Sequence, residues 1–203
     1  LDNEVEHLCN MATDWEIFQE RDLSPDVWQY IKDHRFFGMI IPKEYNGLGF
    51  SATLHSHVIE KLVSRSQVLA ITVMVPNSLG PAELILKHGT QEQKDKYLAR
   101  LAYGKEVPCF ALTEPNAGSD ATSLQSYGEI FKDEDDSLKI KLNFEKRYIT
   151  LGNIATLIGL AFQLKDPDKL LGNKTDLGIT FALVKANLKG VDNSKIDSAI
   201  TYF

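Results

Sequence analysis

The chain has 203 residues, and 22 Lys and Arg face 28 Asp and Glu, giving a formal net charge of −6. That sign argues against nucleic acid as a partner, because a protein that binds a phosphate backbone needs excess positive charge. With 43% hydrophobic and 25% charged residues, the composition is typical of a globular protein, and the length allows two small domains.

The first part of the chain has the periodicity of amphipathic helices. Its earliest apolar residues recur at spacings of three and four, which predicts one helix face: Val5, Leu8, Cys9, Ala12 and Trp15. Ser24 and Pro25 predict the N-cap and first residue of a second helix, and Ser51 predicts the N-cap of a third. Between these helices, residues 43–50 are rich in turn formers and predict a loop.

The helical pattern continues to about residue 107. Residues 68–75 are almost wholly apolar and fit a buried helix or a buried strand, and their helical neighbours favour a helix. Gly89 is predicted to end the next helix in a left-handed conformation. Thr90 and Gln93 have capping-box spacing, and Gly104 marks the end of that helix. We therefore predict an N-terminal helical domain at 1–107.

From Pro108 the pattern changes to that of strands. Residues 109–113 form a short apolar run, and residues 138–144 alternate apolar and polar side chains as a half-buried strand does. Further apolar runs occupy 154–164 and 177–184, and the acidic stretch 132–136 predicts a hairpin loop. We predict an incomplete β-rich domain at 108–203.

Few residues suggest chemistry by pattern alone. The sequence contains neither G-x-G-x-x-G nor G-x-x-x-x-G-K-[ST], which disfavours a Rossmann dinucleotide site and a P-loop. Cys9 and Cys109 are 100 positions apart and show no metal-ligand spacing, so we predict reduced cysteines and no metal site. His55 and His57 would point away from each other on a helix.

One turn is more suggestive. Residues 110–120 (FALTEPNAGSD) lead from a strand into a tight turn with hydroxyls, carboxylates and small residues. Backbone N–H groups of such a turn can bind a flavin carbonyl or a phosphate, and Gly118 allows close approach. Ordinary surface turns have the same composition, and from the residues alone that simpler interpretation is preferred.

Four stretches in order resemble the acyl-CoA dehydrogenase family. Residues 112–120 (LTEPNAGSD) resemble its signature flavin loop, and residues 146–150 (KRYIT) resemble its second flavin strand. Residues 88–98 (HGTQEQKDKYL) and 42–49 (PKEYNGLG) resemble the helix pair and the Gly-rich turn that precede them. With this resemblance the predicted fold class is α+β: an N-terminal all-α helical domain followed by a partial antiparallel β-barrel-like domain.

The resemblance implies FAD as cofactor and assigns residues to its site. The implied flavin-binding residues are Phe110, Ala111, Leu112, Thr113, Glu114, Pro115, Asn116, Ala117, Gly118, Ser119, Tyr148, Ile149 and Thr150. Ser119 is also implied to contact the CoA arm of the substrate. Asn116 stands where many members have Gly, and Tyr148 where many have Trp. Thr113 and Thr150 are expected to face one flavin surface.

The implied reaction is α,β-dehydrogenation of a fatty acyl-CoA in β-oxidation. In the family a glutamate from a C-terminal helical domain removes the α-proton, so no catalytic residue is expected in this chain, which we interpret as a fragment that is inactive alone. Implied partners are fatty acyl-CoA, an electron-transfer flavoprotein or similar acceptor, and further copies of the chain. A cytoplasmic location is predicted, with membrane association only through segments outside the 203 residues.

Three alternatives stay open. An acyl-CoA oxidase or a flavin monooxygenase would share the flavin loop and differ in how the flavin is reoxidised, and a non-catalytic acyl-CoA-binding module would share the fold. Oxygen consumption separates the first two from a dehydrogenase, and a glutamate in the matching helix of a following domain separates the third.

Overall fold

A computed structural model describes residues 2–78 and 80–194. The chain divides into two compact units, Leu1–Cys109 and Phe110–Phe203. The first unit is helical, and the second is built on a five-stranded sheet.

Seven α-helices form most of the first unit within the described residues. They are α1 (Asp2–Met11), α2 (Asp14–Glu20), α3 (Pro25–Asp33), α4 (Ala52–Val63), α5 (Gln67–Ser78), α6 (Pro81–His88) and α7 (Gln91–Ala102). Short 3₁₀ helices lie at Phe36–Gly38 and Lys43–Tyr45. The predicted caps are confirmed, since the hydroxyls of Ser24, Ser51 and Thr90 accept hydrogen bonds from Val27, Leu54 and Gln93 N–H groups. The Thr90 and Gln93 side chains complete the capping box.

Two local predictions in this unit are wrong. Val5 and Trp15 do not share one helix, because the chain leaves helical geometry after Met11 and Trp15 lies on α2, 68% exposed. Gly89 has φ −69° and ψ 149°, so α6 ends in extended backbone. That backbone leads directly into Thr90, whose extended conformation is the one an N-cap requires.

The core of the first unit is apolar and contains one buried amide. Phe36, Phe37, Ile31 and Leu62 are at most 2% exposed. Asn77, on α5, donates to the carbonyls of Phe36 (2.6 Å) and Val73 (2.9 Å) and accepts from Ile40 N–H (3.2 Å). A buried amide with these partners is fully engaged, so it fixes α5 to the Phe36–Gly38 turn.

Residues 67–88 are long and apolar enough to pass for a membrane span by length and composition. The core helix of a soluble protein passes the same test, and most of this stretch is buried within the unit. Leu69 and Val73 on α5 are fully enclosed. The stretch is therefore explained by packing in the core.

The second unit has β1 (Pro108–Ala111), β2 (Tyr127–Lys132), β3 (Leu138–Asn143), β4 (Leu157–Lys165) and β5 (Asp176–Lys185). The order is β1-β4-β2-β3, with β5 also paired to β4. The β2–β3 and β4–β5 pairs are antiparallel, and the acidic turn predicted between β2 and β3 is present. β4 is the centre of the sheet and its most buried strand.

The α+β class with a helical first part is confirmed, but the antiparallel, barrel-like description needs correction. β2 runs parallel to β4, with Tyr127 opposite Gln163, and among residues 108–194 the sheet is mixed and does not close. The parallel pair is possible because β3 and a long connection separate β2 from β4 in sequence. β3 is also exposed along most of its length and not half-buried as predicted.

Candidate functional site

The loop after β1 is fixed at its base by backbone hydrogen bonds. Glu114 N–H donates to the Ala117 carbonyl (3.0 Å), and Ala117 N–H donates to the Glu114 carbonyl (3.2 Å). The Ala117 side chain is buried with Leu124 against Ala161 of β4. This arrangement holds the turn 114–117 on the sheet and leaves the residues that follow on the surface.

Gly118 and Ser119 present unused donors to solvent. Both residues are exposed, and their N–H groups donate to no group within the described residues. A Cβ added to Gly118 would meet no atom within 4 Å. Backbone N–H groups in open space beside a hydroxyl are suited to bind carbonyl or phosphate oxygens.

The second predicted segment lies beside this loop. Arg147 N–H donates to the Thr113 carbonyl (3.0 Å), although 34 positions separate them. The segment is not the strand that was predicted, because Tyr148 has φ 56° and residues 150–154 form turns. Tyr148 is 65% exposed, and the Arg147 guanidinium lies over its ring, 5.3 Å from the centroid.

A buried ion pair joins the two segments. Lys146 Nζ lies 2.7 Å from Glu114 Oε1, and each side chain is only 5% exposed. Lys146 Nζ also donates to the Leu112 carbonyl (3.0 Å). The Glu114 carboxylate accepts further hydrogen bonds from the N–H groups of Gln125 (2.6 Å) and Ser126 (3.1 Å). One carboxylate thus connects the loop, the start of β2 and the segment after β3.

These contacts keep Glu114 ionised. Burial raises the pKa of Glu114, but the hydrogen bond from Lys146 and those from the Gln125 and Ser126 backbone outweigh it and lower the pKa to about 2. A carboxylate with so low a pKa is a weak base at neutral pH. Its function in this fold is to accept hydrogen bonds.

A shallow cavity of about 310 Å³ lies next to the ion pair. Polar side chains from three segments line it, among them those of Asn116, Gln125, Asn143 and Glu145. Within the described part of the chain, no group of three or more His, Cys, Asp or Glu side chains could hold a metal ion.

The structure brings together the loop 112–119 and the segment 146–150. Thr113 and Thr150 lie on these adjoining segments, and their common flavin-facing surface stays a prediction, as does the contact of Ser119 with substrate. Lys146, Gln125 and Ser126 were not predicted to matter. Neither periodicity nor spacing indicates them, because their partner is 11 to 32 positions away.

Comparison with known proteins identifies the class to which this fold and loop belong. Residues 3–105 match the model "Acyl-CoA dehydrogenase, N-terminal domain", and residues 109–202 match "Acyl-CoA dehydrogenase, middle domain". The chain belongs to the acyl-CoA dehydrogenase family.

Individual relatives agree with that assignment. The chain is 33% identical over 180 residues to the 3-(aryl)acrylate reductase of Clostridium sporogenes, covering 89% of this chain and 45% of the relative. It is 30% identical over 196 residues to the short-chain specific acyl-CoA dehydrogenase of Clostridium acetobutylicum, covering 90% and 48%. The butyryl-CoA dehydrogenase structure from Megasphaera elsdenii superimposes with TM-score 0.69 at 27% identity, covering 94% and 50%. The chain thus spans about half the length of these relatives.

Proposed function

We propose that this chain supplies the helical and flavin-loop part of an FAD-dependent acyl-CoA dehydrogenase that oxidises fatty acyl-CoA in β-oxidation. The observation that carries the proposal is the Arg147 N–H to Thr113 carbonyl bond. It places side by side the two segments that the resemblance assigns to the flavin. Family membership supports the reaction class, an oxidation at a CH–CH bond.

The residues present fit a flavin. The open N–H groups of Gly118 and Ser119 and the Thr113 hydroxyl, which has no hydrogen-bond partner within residues 2–78 and 80–194, can meet polar edges of the cofactor. The exposed Tyr148 ring can shield an isoalloxazine face. When bound, a flavin supplies a hydride acceptor. The protein's part is to hold cofactor and acyl thioester in reacting geometry.

The base for the α-proton is proposed to come from outside the described residues. Glu114 is committed to Lys146 and two backbone amides. Asp120 accepts hydrogen bonds from the Thr122 hydroxyl and N–H and from the Ser123 hydroxyl. A general base must reach its proton first, and both loop carboxylates are engaged elsewhere.

Partners follow from the same proposal. Fatty acyl-CoA is the proposed substrate, with its CoA arm at Ser119, and an electron-transfer flavoprotein is the proposed electron acceptor. Assembly into a homo-oligomer and a cytoplasmic location are proposed with them. The support is the similarity to acyl-CoA dehydrogenases across nine-tenths of this chain.

The test compares the 203-residue chain with the natural protein in which it occurs. We expect the natural protein to be yellow and to reduce a dye with saturated acyl-CoAs, and the chain alone to bind FAD weakly and stay at background. Thr113→Val in the natural protein should weaken FAD binding, and Thr180→Val on β5 should not. A colourless natural protein, or turnover by the chain that Glu114→Gln abolishes, would contradict the proposal.

A second candidate is the reverse reaction, reduction of an acrylate-type double bond. It is favoured by the 33% identity to an arylacrylate reductase. Both directions use the same flavin geometry, so the loop does not separate them. Assaying the natural protein with saturated acyl-CoA plus an oxidised dye, and with the corresponding unsaturated compound plus a reduced dye, decides which direction is supported.

A further inference from the structure

We propose that Glu114 and Lys146 are a positioning pair: their buried contact sets the spacing between loop 113–119 and segment 147–150, and thereby the affinity and orientation of the flavin. This inference rests on the proposed function. Neither side chain touches the cofactor in this proposal, and both act through the residues next to them.

The contacts lie at the bases of both segments. Lys146 holds the loop from two sides, at the Leu112 carbonyl (3.0 Å) and at the Glu114 carboxylate (2.7 Å). Arg147, the next residue, pairs its N–H with the Thr113 carbonyl. The exposed N–H groups of Gly118 and Ser119 lie four and five residues after Glu114 in the sequence, and Tyr148 lies two residues after Lys146. A shift at the pair therefore moves both ligand-facing groups.

Few apolar contacts could replace the pair. Tyr148 is largely exposed, Thr150 is exposed, and the turns at 150–154 are only partly buried. On the loop side, Ala117 packs in a cluster of three small or medium apolar side chains. The relative position of the two segments therefore depends mainly on polar contacts. A buried charge pair is well suited to this, because breaking it leaves a charge without a partner.

The pair differs from the other salt bridges of the second unit. Lys132 and Asp136 lie 2.8 Å apart, but their side chains are 50% and 81% exposed. Exposed pairs of this kind contribute little to stability. Lys132→Met is therefore a matched control for Lys146→Met: it removes one lysine from the same unit and breaks a salt bridge of similar length.

The experiment measures amide hydrogen exchange and thermal unfolding in the 203-residue chain without ligand. Lys146→Met should speed exchange at the N–H groups of Arg147, Gln125 and Ser126 by roughly 100-fold or more, the scale expected when a buried charge loses its partner. Amides of the β4–β5 ladder should keep their protection, and Lys132→Met should change none of these rates.

The double variant Glu114→Gln/Lys146→Met separates positioning from stability. Removing both charges should return the melting temperature toward that of the wild type, since the unpaired charge is gone, while exchange at Arg147 N–H stays fast. If exchange at Arg147 recovers together with the melting temperature, the pair is merely structural. Unchanged exchange at all three amides in a folded Lys146→Met chain also overturns the proposal.

Flavin affinity is then measured in the natural protein, where Lys146→Met should raise the FAD dissociation constant at least tenfold and shift the flavin absorption bands. A wild-type protein that takes up no flavin contradicts the proposed function and the flavin part of this inference, while the exchange result still decides whether the pair orders the two segments. Wild-type FAD affinity in the Lys146→Met protein contradicts the positioning inference and leaves the proposed function intact.

Discussion

The two units are stabilised in different ways. In the helical unit the interior is built from large apolar side chains, including Phe36, Phe37, Ile31 and Leu62. In the sheet unit the buried apolar side chains are concentrated on β4, and β3 is exposed along most of its length. The buried carboxylate of Glu114 is fixed there by a charged partner and two backbone amides.

The two units should therefore respond differently to changes of pH and to substitutions. Apolar burial does not depend on protonation, so the helical core should be affected mainly by changes of volume. A buried ion pair depends on the charge of both partners. The candidate site belongs to the second kind, which makes it easier to perturb by pH or by one charge substitution than the helices are.

The largest effect is expected for Phe37→Ala. Phe37 is 1% exposed and packs edge-on against Trp28, with ring centroids 6.3 Å apart. Truncation leaves a cavity and should lower the free energy of unfolding of the helical unit by about 3 to 5 kcal/mol. Urea denaturation followed by circular dichroism at a helix-sensitive wavelength measures it.

The matched control is Trp15→Ala, which removes a larger aromatic side chain that is 68% exposed in the same unit. It should change the free energy of unfolding by less than about 0.5 kcal/mol. If Trp15→Ala and Phe37→Ala lowered the free energy of unfolding equally, Trp15 on α2 would have to be packed against apolar side chains. Apolar burial in this unit would then extend beyond the core described.

The second effect is a pH dependence carried by Glu114. Its folded pKa is about 2 against an ordinary value of 4.5, so its contribution is fully present above about pH 5 and is lost as the pH falls toward 2. The contribution is about 3 kcal/mol. We expect the free energy of unfolding of the sheet unit to fall over this window by about that much more in the wild type than in Glu114→Gln.

The comparison with Glu114→Gln is needed because Glu114 is not the only carboxyl group in this unit whose pKa hydrogen bonds lower. Hydrogen bonds from Ser123 and Thr122 lower the pKa of Asp120, and the one from Lys139 lowers that of Asp133. Those groups titrate in both proteins, so they cancel in the difference. Parallel pH profiles for wild type and variant would mean that Glu114 is not held by charge.

Features decided within a few residues were predictable from the sequence. The caps at Ser24, Ser51 and Thr90 each need one hydroxyl and an N–H three residues on, so local residue types suffice. The candidate loop was found by its motif, and its tight turn at 114–117 is formed by neighbours.

Features decided by distant partners were not predictable. The position of β2 within the sheet is one of them and follows from packing, since a Cβ at Gly128 would lie 2.6 Å from the Phe162 ring on β4. The pair of Glu114 with Lys146 spans 32 positions. A glutamate in a turn and a lysine after a strand are both ordinary surface residues, and only the fold shows that they are buried together.

The smallest effect concerns the turn that follows the second segment. Leu151 has φ 62°, and a side chain in the left-handed region costs roughly 1 to 2 kcal/mol, which Asn tolerates better. Leu151 is only partly buried, so Leu151→Asn loses little apolar contact and should raise the free energy of unfolding by about 0.5 to 1 kcal/mol.

Lys169→Asn is the matched control, since Lys169 has φ 56° in an exposed turn of the same unit. Both substitutions should stabilise the wild type alike, but only the gain at Leu151 should shrink in the Lys146→Met background. In the Lys146→Met protein, segment 147–150 is no longer fixed by the ion pair, so the turn at Leu151 can lose its strain without the Asn substitution. A double-mutant cycle detects coupling of this kind. If the gain from Leu151→Asn is the same with and without Lys146, the turn is held by its own backbone bonds, such as Gly152 N–H to the Ile149 carbonyl (2.8 Å), and the ordering effect of the ion pair ends before residue 151.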